Sequence, residues 1–114
     1  MKTLKDFIIE SSNATFVSVN PEDFKSDKLE YFDVYIQSSL DDISKLCDCQ
    51  PVERKNGYQF NLKMTLNGKD YDFYLYLRDR NVKNNELTNF DIFAKSKMDA
   101  FEISDQINKT LKYK

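Results

Sequence analysis

The sequence predicts an α+β domain, in which a small antiparallel sheet of about five strands carries helices on one face. Alternating apolar and polar residues flank an Asn-Gly pair near the middle of the chain, which is the pattern of a β-hairpin. Short segments with apolar residues at helical spacing lie before and after the strand-like segments. The chain has 114 residues, which fits one domain.

The central hairpin is the most strongly encoded element. Tyr58 to Leu66 and Lys69 to Arg78 flank Asn67 and Gly68, the residue pair that type I′ turns favour. A two-residue turn pairs Leu66 with Lys69 and thereby sets the register of every pair beyond it. One face of that register is apolar, and the opposite face is expected to pair Lys63 with Asp72, Asn61 with Tyr74 and Gln59 with Tyr76.

Shorter patterns predict the remaining elements. Further strands are expected at Ala14–Val19, Leu29–Gln37 and Phe90–Ala94. Helices are expected at residues 3–11, immediately after Ser39, and at residues 98–112.

These elements should each present one apolar side to the core. Along the second strand, alternation separates Phe32, Val34 and Ile36 from Tyr31, Asp33, Tyr35 and Gln37. Ser39 is expected to cap a helix that buries Leu40, Ile43, Leu46 and Cys47. The last helix is expected to bury Phe101, Ile107 and Leu111.

Composition argues against several kinds of chemistry. The chain has no histidine, so imidazole cannot serve as a base, a proton shuttle or a metal ligand. The carboxylate pairs fit helix caps, turns and solvent-facing strands better than an acid–base site; they are Asp41/Asp42, Asp70/Asp72 and Glu22/Asp23. Asp41, Asp42 and Asp48 could bind a metal ion, but no glycine-containing calcium loop supports such a site. We expect no enzymatic activity, cofactor or metal.

The two cysteines, Cys47 and Cys49, are separated by one residue. Side chains this close diverge on a helix or strand, so a disulfide between them is not expected. Two cysteines also fall short of the four ligands of a structural zinc site. The expectation is a buried thiol and an exposed thiol in a reducing compartment.

Several tyrosines suggest a surface for a protein partner. Tyr74, Tyr76 and Arg78 would lie in a row on one sheet face, and Tyr31 and Tyr35 in a row on another strand. Tyrosine and arginine are frequent anchors of protein interfaces, although the same rings could shield the sheet or pack beneath a helix.

Nucleic acid is a less favoured partner, and a membrane is not expected. Arg80 and Lys83 follow the tyrosines as in a stacking platform for single strands. Asp70, Asp72 and Asp79 interrupt that pattern, and a net charge of −2 is too balanced to predict nucleic-acid binding from the overall field. No apolar stretch approaches the roughly 20 residues that a membrane-spanning helix needs.

The first ten residues, Met1 to Glu10, form a short amphipathic segment that opens with Met-Lys-Thr and ends with Ile-Ile-Glu. This segment resembles the capsid-targeting leader of internal head proteins in T-even-like bacteriophages. In that family the prohead protease cuts after a Glu that has Leu or Ile two residues before it. Ile8 and Glu10 match this rule, so the resemblance implies cleavage between Glu10 and Ser11.

The resemblance implies a leader at residues 1–10, and the patterns described above predict a single α+β domain at residues 11–114. Such a protein would be packaged in the virion interior and injected into the host cytoplasm. There it would bind and inhibit a host protein stoichiometrically. That host protein would be a restriction enzyme, another defence enzyme or a takeover target. The alternative is a cytosolic interaction module, such as an immunity or regulatory protein, whose first helix stays attached and packs Leu4, Phe7 and Ile8 on the sheet.

Overall fold

The computed structural model describes residues 14–112. Six strands and two helices follow one another in chain order: β1 (Thr15–Ser18), β2 (Glu30–Ser38), α1 (Leu40–Cys47), β3 (Val52–Arg54), β4 (Gly57–Leu66), β5 (Lys69–Leu77), β6 (Thr88–Ala94) and α2 (Lys97–Lys112). The helix expected at residues 3–11 lies outside the described residues.

All six strands join one antiparallel sheet, which confirms the predicted α+β class. The strand order is β1-β4-β5-β6-β2, and β3 pairs with β4 on the same edge as β1. The short strand β3 was not predicted. It has three residues, and Val52 is the one apolar residue among them, so it carries no alternation that sequence analysis could detect.

The β4–β5 hairpin forms in the predicted register. Nine cross-strand pairs run from Leu66 and Lys69 at the turn to Tyr58 and Leu77 at the far end. Both turn residues have positive φ, 53° at Asn67 and 80° at Gly68, as a type I′ turn requires. One face of the hairpin is therefore buried over most of its length, with Tyr58 and Tyr71 half-buried and Lys69 exposed, while the other face carries polar and aromatic residues.

Both helices contribute to the core on the apolar face of the sheet. Helix α2 packs against β2 and β6, and α1 reaches across to β1. The largest fully buried side chains include those of Phe60, Phe73, Phe90, Ile36, Ile43, Leu62, Met64, Leu75, Ile92, Ile103 and Ile107. Neither helix of residues 14–112 combines the length and hydropathy needed to cross a membrane.

Helix α1 begins as predicted and ends in an unexpected way. The Ser39 hydroxyl oxygen accepts a hydrogen bond from the Asp42 N–H at 3.2 Å. At the other end Asp48 adopts the left-handed conformation, with φ 51° and ψ 49°. That turn brings the Cys47 and Cys49 side chains together, and the two form a disulfide. The expectation of free thiols was wrong because it assumed regular helix or strand geometry between them.

Helix α2 buries Ile107 and half-buries Leu111 as predicted, whereas the prediction for Phe101 was wrong. Phe101 is 55% exposed, whereas Ala100, Ile103 and Ile107 are fully buried. The buried residues follow helical spacing from Ala100, whose small side chain lets the helix lie close to the sheet. The Ser96 hydroxyl accepts from the Asp99 N–H at 3.1 Å and caps the helix start.

Strand β2 contains a bulge that simple alternation does not reveal. Tyr31 pairs with Phe93 and Tyr35 with Asp91, so three residues of β2 lie opposite Ile92. Asp33 within the bulge has φ 65°, which places it in the left-handed region. The bulge leaves Tyr31 and Tyr35 on the same face of the sheet.

A contact at Gly57 yields a stability prediction. A Cβ added there would lie 1.8 Å from the Leu77 carbonyl oxygen, whereas one at Gly68 would meet nothing within 4 Å. Gly57→Ala should lower the free energy of unfolding by more than ~2 kcal/mol, because β4 must move away from β5. Gly68→Ala should cost about 1–2 kcal/mol through its positive φ alone. Urea unfolding of both variants compares the two, and an equal loss would contradict the close approach at Gly57.

Candidate functional site

The sheet face opposite the helices, here called the outer face, carries a continuous line of aromatic rings. Tyr74 and Phe93 are cross-strand partners whose rings stack at a centroid distance of 4.3 Å. Tyr31 packs on the other side of Phe93 at 5.5 Å. Phe24, from the segment between β1 and β2, meets Tyr74 edge-on at 6.2 Å. We call these four residues the aromatic row.

Half of the aromatic row was missed in the sequence. Phe93 could have been found, because alternation in β6 places it opposite in direction to the buried Phe90 and Ile92. Phe24 carries no such signal, since it lies outside any strand or helix and reaches Tyr74 only through the tertiary fold.

Arg78 lies over one end of the row. Its Nε donates to Asp91 Oδ2 at 2.8 Å, and its guanidinium carbon lies 5.8 Å from the centre of the Tyr31 ring. The carboxylate therefore holds the guanidinium in a cation–π position above the tyrosine. Because the Arg78 side chain is 64% exposed, this ion pair adds little to the free energy of unfolding. Its main effect is to orient the guanidinium.

Tyr35 and Tyr76 lie on a second line across the same face, one on either side of Asp91 in the register. Tyr35 is 51% exposed, and Tyr76 is half-buried. The structure thus brings together on one face all five residues predicted to bind a partner: Tyr31, Tyr35, Tyr74, Tyr76 and Arg78.

Several cationic side chains near this face form ion pairs with carboxylates. Lys95 pairs with Asp72 and Arg80 with Glu53, each at 3.8 Å. Together with the Arg78–Asp91 pair, these ion pairs give the outer face both positive and negative charges. The face therefore lacks the continuous basic surface that binds a polyanion.

The carboxylates considered for a metal site do not converge. Asp41 and Asp42 lie in the first turn of α1, whereas Asp48 caps its far end. A helix rises 1.5 Å per residue, so the two ends stand roughly 10 Å apart. Within residues 14–112 there is no group of three or more potential metal-ligating side chains.

Two phenols of the aromatic row titrate above their ordinary range. Burial raises the pKa of Tyr31, and the negative charges of Asp91 and Asp33 raise it further. Burial also raises the pKa of Tyr74, against the opposing effect of Arg54 and Arg78. Both rings therefore remain neutral through the physiological range.

The raised pKa of Tyr74 predicts a dependence of stability on pH. The folded protein holds the phenolic proton more tightly than the unfolded chain, so this contribution is complete below about pH 10 and is lost as the pH rises through the folded-state value. Tyr74→Phe keeps the stacked ring and removes the titration. The free energy of unfolding should therefore fall less steeply above pH 10 in Tyr74→Phe than in wild type. Urea unfolding between pH 8 and 11 measures both slopes, and identical slopes would contradict the shift.

Comparisons of this chain with protein-family models, with curated proteins and with solved structures find no match. The geometry of the outer face is accordingly the basis for assigning a function to the described part of the chain.

Proposed function

We propose that this protein is a non-enzymatic binding protein that docks through the aromatic row onto a partner protein and blocks it stoichiometrically. The observation that carries the proposal is the contact of four aromatic rings on the face that neither described helix covers. Large rigid rings beside an arginine give much contact area for little loss of side-chain entropy on binding.

A protein partner fits this face better than a nucleic acid does. A single-stranded nucleic acid would need a continuous cationic groove along its backbone. Here Asp91 pairs with Arg78 and Asp72 with Lys95, so carboxylates offset two of the cations beside the rings. A protein surface of mixed charge can meet both signs, and the partially exposed phenols can hydrogen-bond to it.

The phage-associated part of the proposal rests on the first ten residues. Their resemblance to capsid-targeting leaders supports a protein that is packaged in the virion and injected, where its partner would be a host defence or takeover protein. The alternative is a cytosolic immunity or regulatory module that keeps these residues.

The docking proposal is tested by comparing two double variants of the full chain in host lysate. Tyr74→Ala with Tyr76→Ala truncates two outer-face rings, and Met98→Ala with Phe101→Ala truncates two exposed apolar residues on α2. The tyrosine variant should reduce capture of a host protein at least tenfold, since truncating two interface tyrosines costs roughly 2 kcal/mol or more together. The α2 variant should capture as wild type does.

Quantitative mass spectrometry measures the molar ratio of captured protein to immobilised chain, and thermal melting confirms that both variants are folded. A captured protein near equal molar ratio is expected. Equal capture by both variants, or co-purification of nucleic acid in place of a protein, would overturn the proposed docking face.

The packaging proposal is tested by intact mass and N-terminal sequencing of the protein from virions of a phage that encodes it. The chain should begin at Ser11. Glu10→Gln should retain residues 1–10, whereas Glu22→Gln, a change at an exposed glutamate, should be processed normally. Virions that lack the protein, together with a full-length chain in the cytosol, would reject packaging and favour the interaction module.

A further inference from the structure

A cavity of about 370 Å³ opens on the outer face next to the aromatic row. It lies where β1 ends and β3 begins, along the edge of β4. Val19, Pro21 and Val52 form apolar parts of its wall, and Gln59 and Asn61 contribute two buried carboxamides. Asn61 is the cross-strand partner of Tyr74, so the cavity borders the row directly.

The two carboxamides belong to a chain of hydrogen bonds, here called the relay, that starts at Arg54. Arg54 determines which atom of each carboxamide donates and which accepts. Arg54 Nε donates to Gln59 Oε1 at 3.2 Å, and Gln59 Nε2 donates to Asn61 Oδ1 at 2.6 Å. A guanidinium has donors and no acceptor, so the Gln59 oxygen must face it. The Gln59 nitrogen then faces Asn61, whose own oxygen must accept from it.

The relay leaves the Asn61 Nδ2 group as a donor without a partner among residues 14–112. The residue is 5% exposed, so bulk water satisfies this donor poorly. Among side-chain polar atoms of the described residues, the Ser38 hydroxyl oxygen is the one that is both shielded from solvent and without a hydrogen-bond partner. The Asn61 nitrogen is not in that class, so it is not fully shielded. The Asn61 amide nitrogen is thus accessible from the cavity that it lines, where it can donate to an acceptor.

The lining also limits the charge of that acceptor. Every residue around the cavity is uncharged in the described structure, including Ser18, Gln50 and the half-buried Cys49. The wall itself holds no charged side chain, so a charged group that entered would lose hydration without a counter-ion in direct contact. The cavity volume lies near the lower end of the range for ligand pockets, which begins at about 300 Å³. The cavity can therefore hold a small chemical group.

We propose that this cavity is a binding site for an uncharged ligand that presents an amide-type carbonyl oxygen to Asn61 Nδ2. Arg54 acts as a positioning residue, because it fixes the polarity of Gln59 and so of Asn61. The carbonyl can come from a peptide segment or from a free small amide, since both offer the same acceptor and the same flat, partly apolar shape.

The test is a titration of the ¹⁵N-labelled full chain by NMR, with N-methylacetamide as the probe and methylammonium as a donor-only comparison. N-methylacetamide should shift the Asn61 side-chain NH₂ signals and the backbone amides of Val19 and Val52 along one saturable curve. Methylammonium should leave them in place. Absent or non-saturating shifts with N-methylacetamide would overturn the site without use of any variant.

Three variants test the donor itself. Asn61→Asp keeps the oxygen that accepts from Gln59 and removes the free donor, so binding should weaken roughly tenfold. Asn89→Asp introduces the same charge at an exposed residue of β6 and should bind as wild type does. Arg54→Ala releases the relay and should weaken binding several-fold, which provides a second reading if Asn61→Asp fails to fold. Wild-type affinity in both Asn61→Asp and Arg54→Ala would overturn the assignment.

A capped glycine, N-acetylglycine N-methylamide, separates the two sources. Tighter binding than N-methylacetamide identifies a peptide carbonyl, and equal or weaker binding identifies a free small amide. No partner protein is present in these titrations, so their failure leaves the docking proposal standing, and failed capture on the aromatic row leaves this site standing.

Discussion

The antiparallel pairing of β4 with β5 is the constraint on which the rest of the structure depends. Because side chains alternate along a strand, the Asn67–Gly68 turn decides for nine cross-strand pairs which residues enter the core and which stay outside. The same pairing requires close backbone approach at Gly57, where any side chain would meet the Leu77 carbonyl. A shift of one residue would bury Tyr74 and Tyr76 and expose Phe73 and Leu75.

That division gives the two faces different physical roles. The inner face is closed by α1 and α2, and its stability comes from burial of large apolar side chains. Neither described helix covers the outer face, where the rings pack on one another and Asp91 holds Arg78 over Tyr31. Residues that are stacked and hydrogen-bonded before a ligand arrives lose little freedom when it binds, which favours recognition by a preformed surface.

The amide relay shows how one exposed charge can define the chemistry of a buried group. Arg54 contacts neither Asn61 nor the cavity, yet its donor-only guanidinium determines which atom of each carboxamide faces inward. The cavity and the aromatic row share the Asn61–Tyr74 pair, so one ligand long enough to cross that pair would meet both polar and aromatic contacts.

Structural features that follow from local rules could be predicted from the sequence. Features that depend on how distant elements pack could not. The hairpin register, the Ser39 cap and the shared face of five candidate residues follow from turn chemistry and alternation. The exposure of Phe101 and the contact of Phe24 with Tyr74 depend on where distant elements pack. The Cys47–Cys49 disulfide depends on the left-handed conformation of Asp48, which no neighbouring residue type demands.

The most direct test of the account is a ¹³C-edited NOE measurement on the aromatic rings of the full chain. The account predicts contacts from the Phe93 ring to both Tyr74 and Tyr31, and from Tyr74 to Phe24. It also predicts that contacts from Ile103 and Ile107 of α2 go to core residues only. Contacts from Tyr74 or Tyr31 to either helix would show that the outer face is covered, and they would contradict the account.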